Sequence, residues 1–268
     1  MSHAVIIPLD AASIRNALPD PLQGLLKHIH IFETIDSTSE WLLKQEQACR
    51  ELCLAEKQTA GRGRRGRSWH SPPGNILFSL RWCFDSIPPH YSWLGLVTGV
   101  AVAKGLADYG LSGHGLKWPN DIHHNGRKLC GILLQTAQPV QQVIVSFGMN
   151  ICPHAADSEE NPVHINQAWC DLNSLLGQTV DRNRLIAIIL GHLLTALSEF
   201  PQFNRQAFLT EWHTWDLLYQ RPVNIDTGTE LLQGTTIGLD EQGRLQVRLN
   251  DGRLQSYSSA DISVRYMQ

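Results

Sequence analysis

Residues 61–69 combine glycine and arginine in a way that suits an anionic ligand. They read GRGRRGRSW, so the first seven positions hold three glycines and four arginines in a chain whose formal net charge is only −3. Glycine accepts positive φ and can turn backbone N–H groups towards an anion, while arginine adds a planar, permanently charged fork that matches phosphate or carboxylate oxygens. The segment therefore predicts a mobile loop that closes over a small negative ligand.

Three other interpretations of this loop have different consequences. Gly61, Gly63 and Gly66 satisfy the GxGxxG pattern of dinucleotide-binding folds, but that pattern requires a helix to begin within it. The following residues 69–74, WHSPPG, cannot continue a helix, so we reject this interpretation. An RGG-like nucleic-acid patch would be favoured by interleaved aromatic residues, of which only Trp69 is near. A solvated charged loop without a ligand is the third alternative.

A second candidate stretch, residues 117–121, reads KWPND. It groups a cation, an aromatic ring, a rigid turn and an Asn–Asp pair, and its carboxylate, Asp121, would bind Mg²⁺ or orient Lys117 or an arginine. An ordinary Pro-Asn-Asp turn has the same composition, so this stretch alone does not decide. The chain shows no Ser-His-Asp, Cys-His or paired-carboxylate constellation. Its chemistry is therefore expected to rest on positive charge and backbone donors that stabilise a polyphosphate, as in nucleotidyl transfer.

Two apolar stretches carry further candidate residues. Residues 126–133 put Lys128 at the mouth of a strand and Gly131 just inside it, where glycine either lets a ligand approach the backbone or packs against a neighbouring element. Residues 143–150 read as a buried strand that ends at Asn150, whose amide either binds a polar edge such as adenine or ribose or caps a turn. For both stretches the residues alone leave the two alternatives open.

The elements that must position these residues alternate between helices and strands. We expect helices over residues 10–17, from 41 onwards, 91–109, 181–200 and 205–212, and strands over residues 52–56, 76–82, 129–135 and 143–149. Asn125 and Gly126 predict a type I′ hairpin turn. Close packing of the helix at 91–109 on a sheet is expected at its small residues, Gly95, Gly99, Ala103 and Gly105.

Residues 222–268 have a different sequence pattern from the rest of the chain. Their short alternating stretches are separated by Asp, Asn and Gly turns at residues 240–243 and 250–252. This pattern predicts a small all-β barrel, so the fold class is α+β with a small β domain appended. Residues 1–32 hold one weak helical segment and are too short for an independent domain, which usually needs about 50 residues.

Composition excludes several classes of protein. The 268 residues are 43% hydrophobic and 18% charged, as in ordinary globular proteins, and a pI of about 6.4 argues against a dedicated nucleic-acid binder. Residues 1–7 lack the charged region of a signal peptide, and no apolar run approaches the roughly 20 residues of a membrane-spanning helix. We therefore expect a cytoplasmic protein.

The cysteines and paired histidines show no metal-binding pattern. Six cysteines occur without a CxxC pair, which predicts reduced and mostly buried thiols. The pairs His28/His30 and His123/His124 lack further ligands at the spacing that a metal site needs, so surface or turn positions are expected for them.

Together, these motifs resemble, in the same order, the motifs of biotin–protein ligases. The matching segments, which lie within roughly residues 30–268, are residues 36–38, 61–71, 117–121, 126–131 and 148–150, followed by a small β domain that starts at 221–223. The resemblance implies a catalytic domain with a central mixed β-sheet, of the class II synthetase and biotin/lipoate ligase type, at residues 33–219. It also implies an SH3-like β-barrel at residues 220–268.

Some bacterial members of this family also act as repressors through an N-terminal winged-helix domain. Residues 1–32 leave no room for such a domain, so we expect a ligase that lacks the DNA-binding domain and does not bind an operator. The resemblance implies that biotin's carboxylate attacks the α-phosphate of ATP to give biotinyl-5′-AMP and pyrophosphate. A lysine of the biotin carboxyl carrier domain of acetyl-CoA carboxylase then takes the biotinyl group. Biotin and ATP are thus the expected substrates, with Mg²⁺.

The resemblance also implies roles for individual residues. The catalytic residues would be Lys128, Arg64 and Lys117. The biotin-binding residues would be Ser37, Thr38, Ser39, Gln58, Arg62, Gly63, Arg64, Lys128 and Gly131. The ATP- and adenylate-binding residues would be Arg62, Arg64, Arg65, Arg67, Trp69, Lys117, Asn120, Lys128 and Asn150. Asp121 is the candidate Mg²⁺ ligand, and Ser39 departs from the family, many members of which carry Asn there.

Two other functions are also compatible with the sequence. A lipoate–protein ligase would share the fold and the adenylate chemistry, and would be distinguished by its preference for lipoate. A nucleic-acid-binding protein that uses the arginine–glycine loop would belong to a different class and would bind oligonucleotides with a steep salt dependence. For the ligase, the expected macromolecular partner is the biotin carboxyl carrier protein, with neither DNA nor membrane. A homodimer formed through exposed sheet edges is also compatible with the sequence.

Overall fold

Seven strands form the main sheet of the protein. The computed structural model describes residues 6–45, 49–70, 72–137, 141–152, 167–259 and 262–267. The strands of the main sheet are β1 (His28–Ile35), β2 (Glu51–Gln58), β3 (Ile76–Cys83), β4 (His114–Lys117), β5 (Asp121–His124), β6 (Arg127–Ala137) and β7 (Gln142–Met149). Their order is β1-β2-β3-β7-β6-β5-β4, and only β1 and β2 run parallel, so the sheet is mixed as expected.

The long helices lie at the positions that the apolar periodicity predicted, with small shifts at their ends. The helices are α1 (Ala11–Asn16), α2 (Asp20–Gln23), α3 (Thr38–Leu43), α4 (Leu94–Tyr109), α5 (Leu172–Leu176), α6 (Arg182–Glu199) and α7 (Arg205–Trp215). Side-chain hydrogen bonds cap the N-termini of two long helices. Asp181 accepts from backbone N–H groups in the first turn of α6, and Asn204 does the same for α7. Strands β1, β4 and β5 and the short helices α2 and α5 were not predicted.

The N-terminal segment is attached to the main sheet. Strand β1 runs through residue 32, where a domain boundary was expected, and it pairs with β2 in the sheet. The guanidinium of Arg182, on α6, is 1% exposed and donates to the carbonyl of Ile7 and, at 2.7 and 2.9 Å, to both carboxylate oxygens of Glu56. Residues before β1 are therefore anchored to the sheet–helix core.

Helices α4 and α6 pack together through a glycine. A Cβ atom placed on Gly105 of α4 would lie 2.6 Å from Cγ1 and 2.9 Å from Cα of Ile189 on α6. The small residues of α4 thus serve two different neighbours, because a Cβ on Gly99 would instead meet Leu116 of β4 at 3.1 Å. Packing of α4 on the sheet is confirmed at Gly99, whereas Gly105 contacts a helix and the prediction is wrong for Gly95, whose Cβ position has no neighbour within 4 Å.

We expect Gly105→Ala to lower the free energy of unfolding by about 1–3 kcal/mol, because the backbone of α6 cannot move away from the added methyl group without repacking. Gly95→Ala, in the same helix, is the matched control, since nothing lies within 4 Å of its Cβ position. The control should be neutral or stabilise the protein by roughly 0.5–1 kcal/mol. Urea unfolding of both variants measures the difference, and equal stabilities would contradict the packing.

Cys49 and Cys83 form a disulfide in the structure, which corrects the expectation that all six cysteines are free thiols. The antiparallel register of β2 and β3 explains the contact, because Glu51 pairs with Arg81 and continued pairing brings residue 49 opposite residue 83. The other four cysteines are free and buried, as predicted: Cys53, Cys130, Cys152 and Cys170. The pairing could not be seen in the sequence, where the two residues are 34 positions apart.

Five further strands form a separate antiparallel sheet at the C-terminal end. They are β8 (Pro222–Asp226), β9 (Leu231–Leu239), β10 (Leu245–Leu249), β11 (Leu254–Tyr257) and β12 (Ser263–Tyr266), in the order β11-β10-β9-β8-β12. This confirms the small all-β domain and is consistent with the expected SH3-like form. It is tied to the main domain by a buried hydrogen bond of 3.1 Å from Trp118 Nε1 to the carbonyl of Gly243.

One helical stretch of the described residues, Arg182–Gln202, is long and apolar enough to cross a membrane by length and composition alone. The expectation that no apolar run approaches this length is therefore wrong for α6. Its buried residues pack against α4 and the sheet, and 56% of its most apolar window lies inside the protein. The helix has the burial of a core helix.

Candidate active site

A single cavity of about 1220 Å³ brings the predicted site residues together. It lies over the face of the main sheet opposite α4 and α6, and the C-terminal domain closes one side. All sixteen residues predicted for the site line it: Ser37, Thr38, Ser39, Gln58, Arg62, Gly63, Arg64, Arg65, Arg67, Trp69, Lys117, Asn120, Asp121, Lys128, Gly131 and Asn150.

The floor of the cavity is one row of paired residues that crosses five strands. From β4 to β3, the register pairs Lys117 with Asp121, Asp121 with Gly131, Gly131 with Gly148, and Gly148 with Leu77. Residues paired in this way project to the same face of a sheet. A cation and a carboxylate therefore lie at one end of the row, followed by two glycines without side chains and then an apolar residue.

The two glycines make room for the indole ring of Trp69. A Cβ atom on Gly148 would overlap this ring, and one on Gly131 would lie 3.0 Å from Trp69 Cζ3 and 3.1 Å from Lys128 Cε. Lys128 Nζ is in turn 5.5 Å from the centroid of the ring. Of the two alternatives that the sequence left open for Gly131, the structure shows packing against a neighbouring element, here a side chain of the arginine–glycine loop, and approach of a ligand stays a prediction.

Gly148→Ala is expected to displace Trp69 and to lower the free energy of unfolding by about 1–3 kcal/mol, the usual cost of overpacking. Urea unfolding measures the change. The matched control is the same substitution in a Trp69→Ala background, where the ring is absent. If Gly148→Ala has the same effect in both backgrounds, its effect does not come from the indole.

A β-bulge turns Lys128 into the cavity. Pairing between β5 and β6 shifts by one residue after Ile122, so that His123 faces Lys128 and Leu129 is the extra residue. In a regular strand Lys128 and Gly131, three residues apart, would project to opposite faces; the bulge puts both on the cavity face. The backbone of Lys128 is also held from outside the sheet, donating to the carbonyl of Ala168 at 2.9 Å.

Lys128 forms an ion pair with Asp121 in the cavity, at 2.8 Å between Nζ and Oδ1. Burial would raise the pKa of the Asp121 carboxyl, but the positive charge of Lys128 and the contact with His123 outweigh burial and hold this pKa at about 2. His123 Nε2 lies 3.9 Å from Asp121 Oδ2, and only 4% of the His123 residue is exposed. The expectation of a surface or turn position is therefore wrong for His123.

The other lysine of the cavity, Lys117, is also partly buried. Burial lowers the pKa of its ammonium group; the charge of Asp121 opposes this, whereas Lys128 and nearby arginines lower the pKa further. The main chain fixes its position, because Lys117 ends β4 and pairs with Asp121 of β5. The KWPND stretch is therefore more than a turn, since it contributes the end of one strand and the start of the next.

The arginine–glycine loop connects three parts of the molecule. Arg64 donates at 3.1 Å to Asn120 Oδ1 and at 2.7 Å to the carbonyl of Ser259 in the C-terminal domain, and burial lowers the pKa of its guanidinium. Arg65 also donates to Ser259, and Arg62 pairs with Glu40 of α3 at 3.3 Å. No α-helix begins within the loop, which contains only one 3₁₀ turn, Arg64–Gly66, in agreement with the rejection of a dinucleotide fingerprint.

A chain of neutral hydroxyl groups occupies the opposite side of the cavity. Gln58 Oε1 accepts from the amide and hydroxyl of Thr38, whose hydroxyl lies 2.8 Å from Ser79 Oγ; this atom in turn lies 2.8 Å from Ser146 Oγ. Gln58 thereby caps α3, and the N-cap residue Ser37 makes no side-chain capping bond. This part of the cavity suits a neutral ligand group with both donors and acceptors.

The two asparagines predicted to recognise adenine already bond to the protein. Asn120 accepts from Arg64 and donates at 2.6 Å to the carbonyl of Ile132. Asn150 donates at 3.2 Å to the carbonyl of Cys170 and is 6% exposed. Both line the cavity, but these bonds are the structural alternative that the sequence left open for Asn150, and adenine contacts stay a prediction for both residues.

Several residues that line the cavity were not predicted from the sequence. Ser79 and Ser146 had a weak signal, because each is a hydroxyl residue within an otherwise apolar strand. The residues from the C-terminal domain had none, since the pattern of that domain indicates only its fold: Ser259, Ile262, Ser263, Val264, Arg265 and Tyr266. Sequence alone does not say which edge of a small barrel meets another domain.

The charges of the cavity are strongly unbalanced. Among the described residues, seven lysines and arginines line it, and Asp121 is the one acidic side chain. No cluster of three or more His, Cys, Asp or Glu in the described part of the chain could hold a metal ion. The cavity can therefore bind an elongated ligand with a neutral polar end near α3 together with a polyanion near β4–β6, and can stabilise negative charge where the two meet.

Comparison with known proteins agrees with this geometry. Residues 31–150 match the model of the biotin/lipoate A/B protein ligase family, and residues 221–265 match that of the biotin protein ligase C terminal domain. The chain is 34% identical over 265 residues to the bifunctional ligase/repressor BirA of Salmonella typhimurium, with 93% of this chain and 81% of that protein covered.

Two further proteins share nearly their whole length with this chain. It is 30% identical over 268 residues to the biotin--[acetyl-CoA-carboxylase] ligase of Mycobacterium tuberculosis, with 95% of each chain covered. The solved structure of biotin protein ligase from Aquifex aeolicus in complex with biotin and ATP aligns with a TM-score of 0.77 at 26% identity, covering 90% of this chain and 100% of that one. Because both domain models match and relatives of 30% identity or more share most of its length, the chain belongs to the biotin–protein ligases, a family of ATP-dependent enzymes.

Proposed function

We propose that this ligase activates biotin as biotinyl-5′-AMP and transfers the biotinyl group to the biotin carboxyl carrier domain of acetyl-CoA carboxylase. In the first step a carboxylate oxygen of biotin attacks the α-phosphorus of ATP, and pyrophosphate leaves. In the second step the amine of the acceptor lysine attacks the acyl carbon, AMP leaves, and the lysine nitrogen loses a proton. The observation that carries the proposal is the unbalanced charge of a cavity whose other side is neutral and polar.

The first step brings two anions together, so its barrier depends on cations held at the meeting point. Lys128, fixed on the cavity face by its bulge and its ion pair with Asp121, would neutralise the biotin carboxylate and the α-phosphate together. Lys117 and Arg64 would bind the remaining phosphate oxygens. The hydroxyl groups around Thr38 and Gln58 would hold the ureido ring, which needs both donors and acceptors.

Magnesium would enter with the triphosphate. Mg²⁺ usually keeps several waters and binds through one or two carboxylates plus substrate phosphates. The described cavity residues offer one carboxylate, Asp121, and its Oδ1 is already paired with Lys128. These residues do not form a site for Mg²⁺ without ATP, and Asp121 as a ligand of MgATP stays a prediction.

The proposal includes the acceptor and the absence of operator binding. The name of the Mycobacterium tuberculosis ligase includes acetyl-CoA carboxylase, which supports that acceptor. The described residues before β1 hold two short helices, α1 and α2, of six and four residues, and no strand, whereas a winged-helix domain combines several helices with a β-hairpin. A gel shift of a biotin-operon operator by the purified protein would contradict our expectation of no DNA binding. The cytoplasmic location and the homodimer stay predictions.

Exchange of labelled pyrophosphate into ATP tests the proposed function, with biotin and lipoate as parallel substrates. We expect exchange with biotin alone, followed by biotin transfer to a purified carrier domain but not to its acceptor Lys→Arg variant. Exchange with lipoate alone would identify a lipoate ligase. If neither substrate supports exchange and the protein binds oligonucleotides in a salt-dependent way, the nucleic-acid-binding alternative is favoured.

A further inference from the structure

The C-terminal domain places an aromatic ring at the cationic end of the cavity. Tyr266 lies on β12, and the centroid of its ring is 5.6 Å from Lys117 Nζ. The same ring packs on that of His123, with 6.0 Å between centroids and 64° between planes. All three residues line the cavity. A residue of one domain therefore contacts two active-site residues of the other.

These contacts complete a chain that links both active-site lysines. Lys117 meets Tyr266, which packs on His123; His123 lies behind Asp121, and Asp121 is paired with Lys128. His123 is itself fixed, with Nδ1 3.2 Å from the carbonyl of Gly126 in the hairpin turn. Displacement of the Tyr266 ring would remove its contacts with the Lys117 ammonium group and the His123 imidazole.

The ring of Tyr266 accounts for these contacts without its hydroxyl group. Burial raises the pKa of Tyr266 to about 12, so the phenol is neutral at ordinary pH. The hydroxyl oxygen is buried and makes no hydrogen bond to any residue that the structure describes. An aromatic face attracts an ammonium group, and the attraction strengthens when both are shielded from water, as Lys117 is.

We propose that Tyr266 is a positioning residue for adenylation, which rests on the proposed function above. Its ring holds Lys117 where the ammonium group meets the triphosphate, and steadies His123 behind the Asp121–Lys128 pair. Docking of the C-terminal domain thereby sets the positions of both lysines. The contribution is to ATP binding, because the neutral side of the cavity near α3 lies on other strands.

Three substitutions in the full-length chain test this role through biotin-dependent pyrophosphate exchange. Tyr266→Leu should raise the KM for ATP by about threefold to thirtyfold, the range expected for loss of a cation–π contact, and leave the KM for biotin unchanged. Tyr266→Phe keeps the ring and should keep the wild-type KM for ATP. Tyr266→Met removes the ring but introduces a flexible side chain that adapts to irregular gaps, and replaces the leucine variant if that one does not fold. Tyr219→Leu is the matched control, because this tyrosine is 39% exposed and packs on His213 outside the cavity.

The outcomes separate this proposal from the proposed function. If the wild-type protein shows no biotin-dependent pyrophosphate exchange, the proposed function is contradicted. Wild-type exchange combined with an unchanged KM for ATP in the leucine or methionine variant would overturn the role of Tyr266. So would an equal rise in the phenylalanine variant, which would assign the effect to the hydroxyl group. An equal rise in the KM for biotin would show general loss of structure and overturn the role as well, as would a Tyr219→Leu variant that behaves like Tyr266→Leu.

Discussion

Replacing Lys128 by alanine is expected to lower biotin-dependent pyrophosphate exchange by roughly 10²–10³-fold, the loss typical of removing one fixed group that stabilises transition-state charge. Biotin binding should change little, because the hydroxyl chain around Thr38 that would hold the head group lies on the other side of the cavity. Only 16% of the Lys128 side chain is exposed, so solvent cations cannot replace its charge. Exchange assays and biotin calorimetry on the same preparation measure the two quantities.

Two controls isolate the charge of Lys128 from the loss of its ion pair. Its removal leaves the carboxylate of Asp121 unpaired, so a Lys128→Ala/Asp121→Asn double variant restores electrical balance without restoring the ammonium group. If the double variant recovers exchange, the effect of the single variant comes from an unpaired carboxylate. Lys104→Ala breaks an ion pair of equal length, 2.8 Å to Glu211, far from the cavity and should leave exchange intact. Parallel loss of biotin affinity would show that Lys128 acts in substrate binding.

Arg64→Gly should let biotinyl-5′-AMP escape about 10²-fold faster, because each hydrogen bond to a charged group contributes about 1.5–3 kcal/mol. In the structure this arginine closes the cavity by bonding Asn120 of the main domain and the carbonyl of Ser259 in the C-terminal domain. The released acyl adenylate would react with any nearby amine. Biotinylation of lysines on an added bystander protein measures the escape, with the rate of adenylate release from filtered enzyme as the direct readout.

Arg65→Gly is the matched control for Arg64→Gly. It removes the same charge from the same loop and the same contact to Ser259, but not the contact to Asn120. Arg65 also has φ of 57°, where glycine is well tolerated, so this variant should not strain the loop. Retention of the adenylate by Arg64→Gly at the wild-type level would contradict closure by Arg64. Equal leakage from both variants would assign closure to the shared Ser259 contact.

The sequence predicted best the parts that local pattern controls. Helices α4 and α6 follow apolar periodicity, β6 and β7 are apolar runs that do pair, and Asn125 with Gly126 forms the two-residue turn at φ of 48° and 74°. The cationic site residues were predicted from motifs, because phosphate and carboxylate recognition restricts residue type closely, whereas the neutral ones, such as Thr38 and Gln58, were implied by the family resemblance. All of them meet in one cavity although they come from separate segments.

The features that the sequence did not predict depend on contacts between residues that are distant in sequence. Strands β4 and β5 have four residues each, too few for periodicity to register, and β1 begins in a segment too short to fold as a domain of its own. His123 has the sequence context of a turn residue, and its burial depends on β12, which lies far along the chain. The pairing of Cys49 with Cys83 follows from the β2–β3 register, and the role of Tyr266 follows from domain docking; neither leaves a local signature.

Because of the bulge at Leu129, the face to which Lys128 projects depends on the number of residues in β6 more than on their identity. A point substitution near Leu129 leaves the extra residue in place, so the ammonium group stays on the cavity face. Deleting one residue between Lys128 and Gly131 would restore regular pairing with β5 and turn the lysine towards α4 and α6. The active site should therefore tolerate many neutral replacements in this strand but no single-residue insertion or deletion.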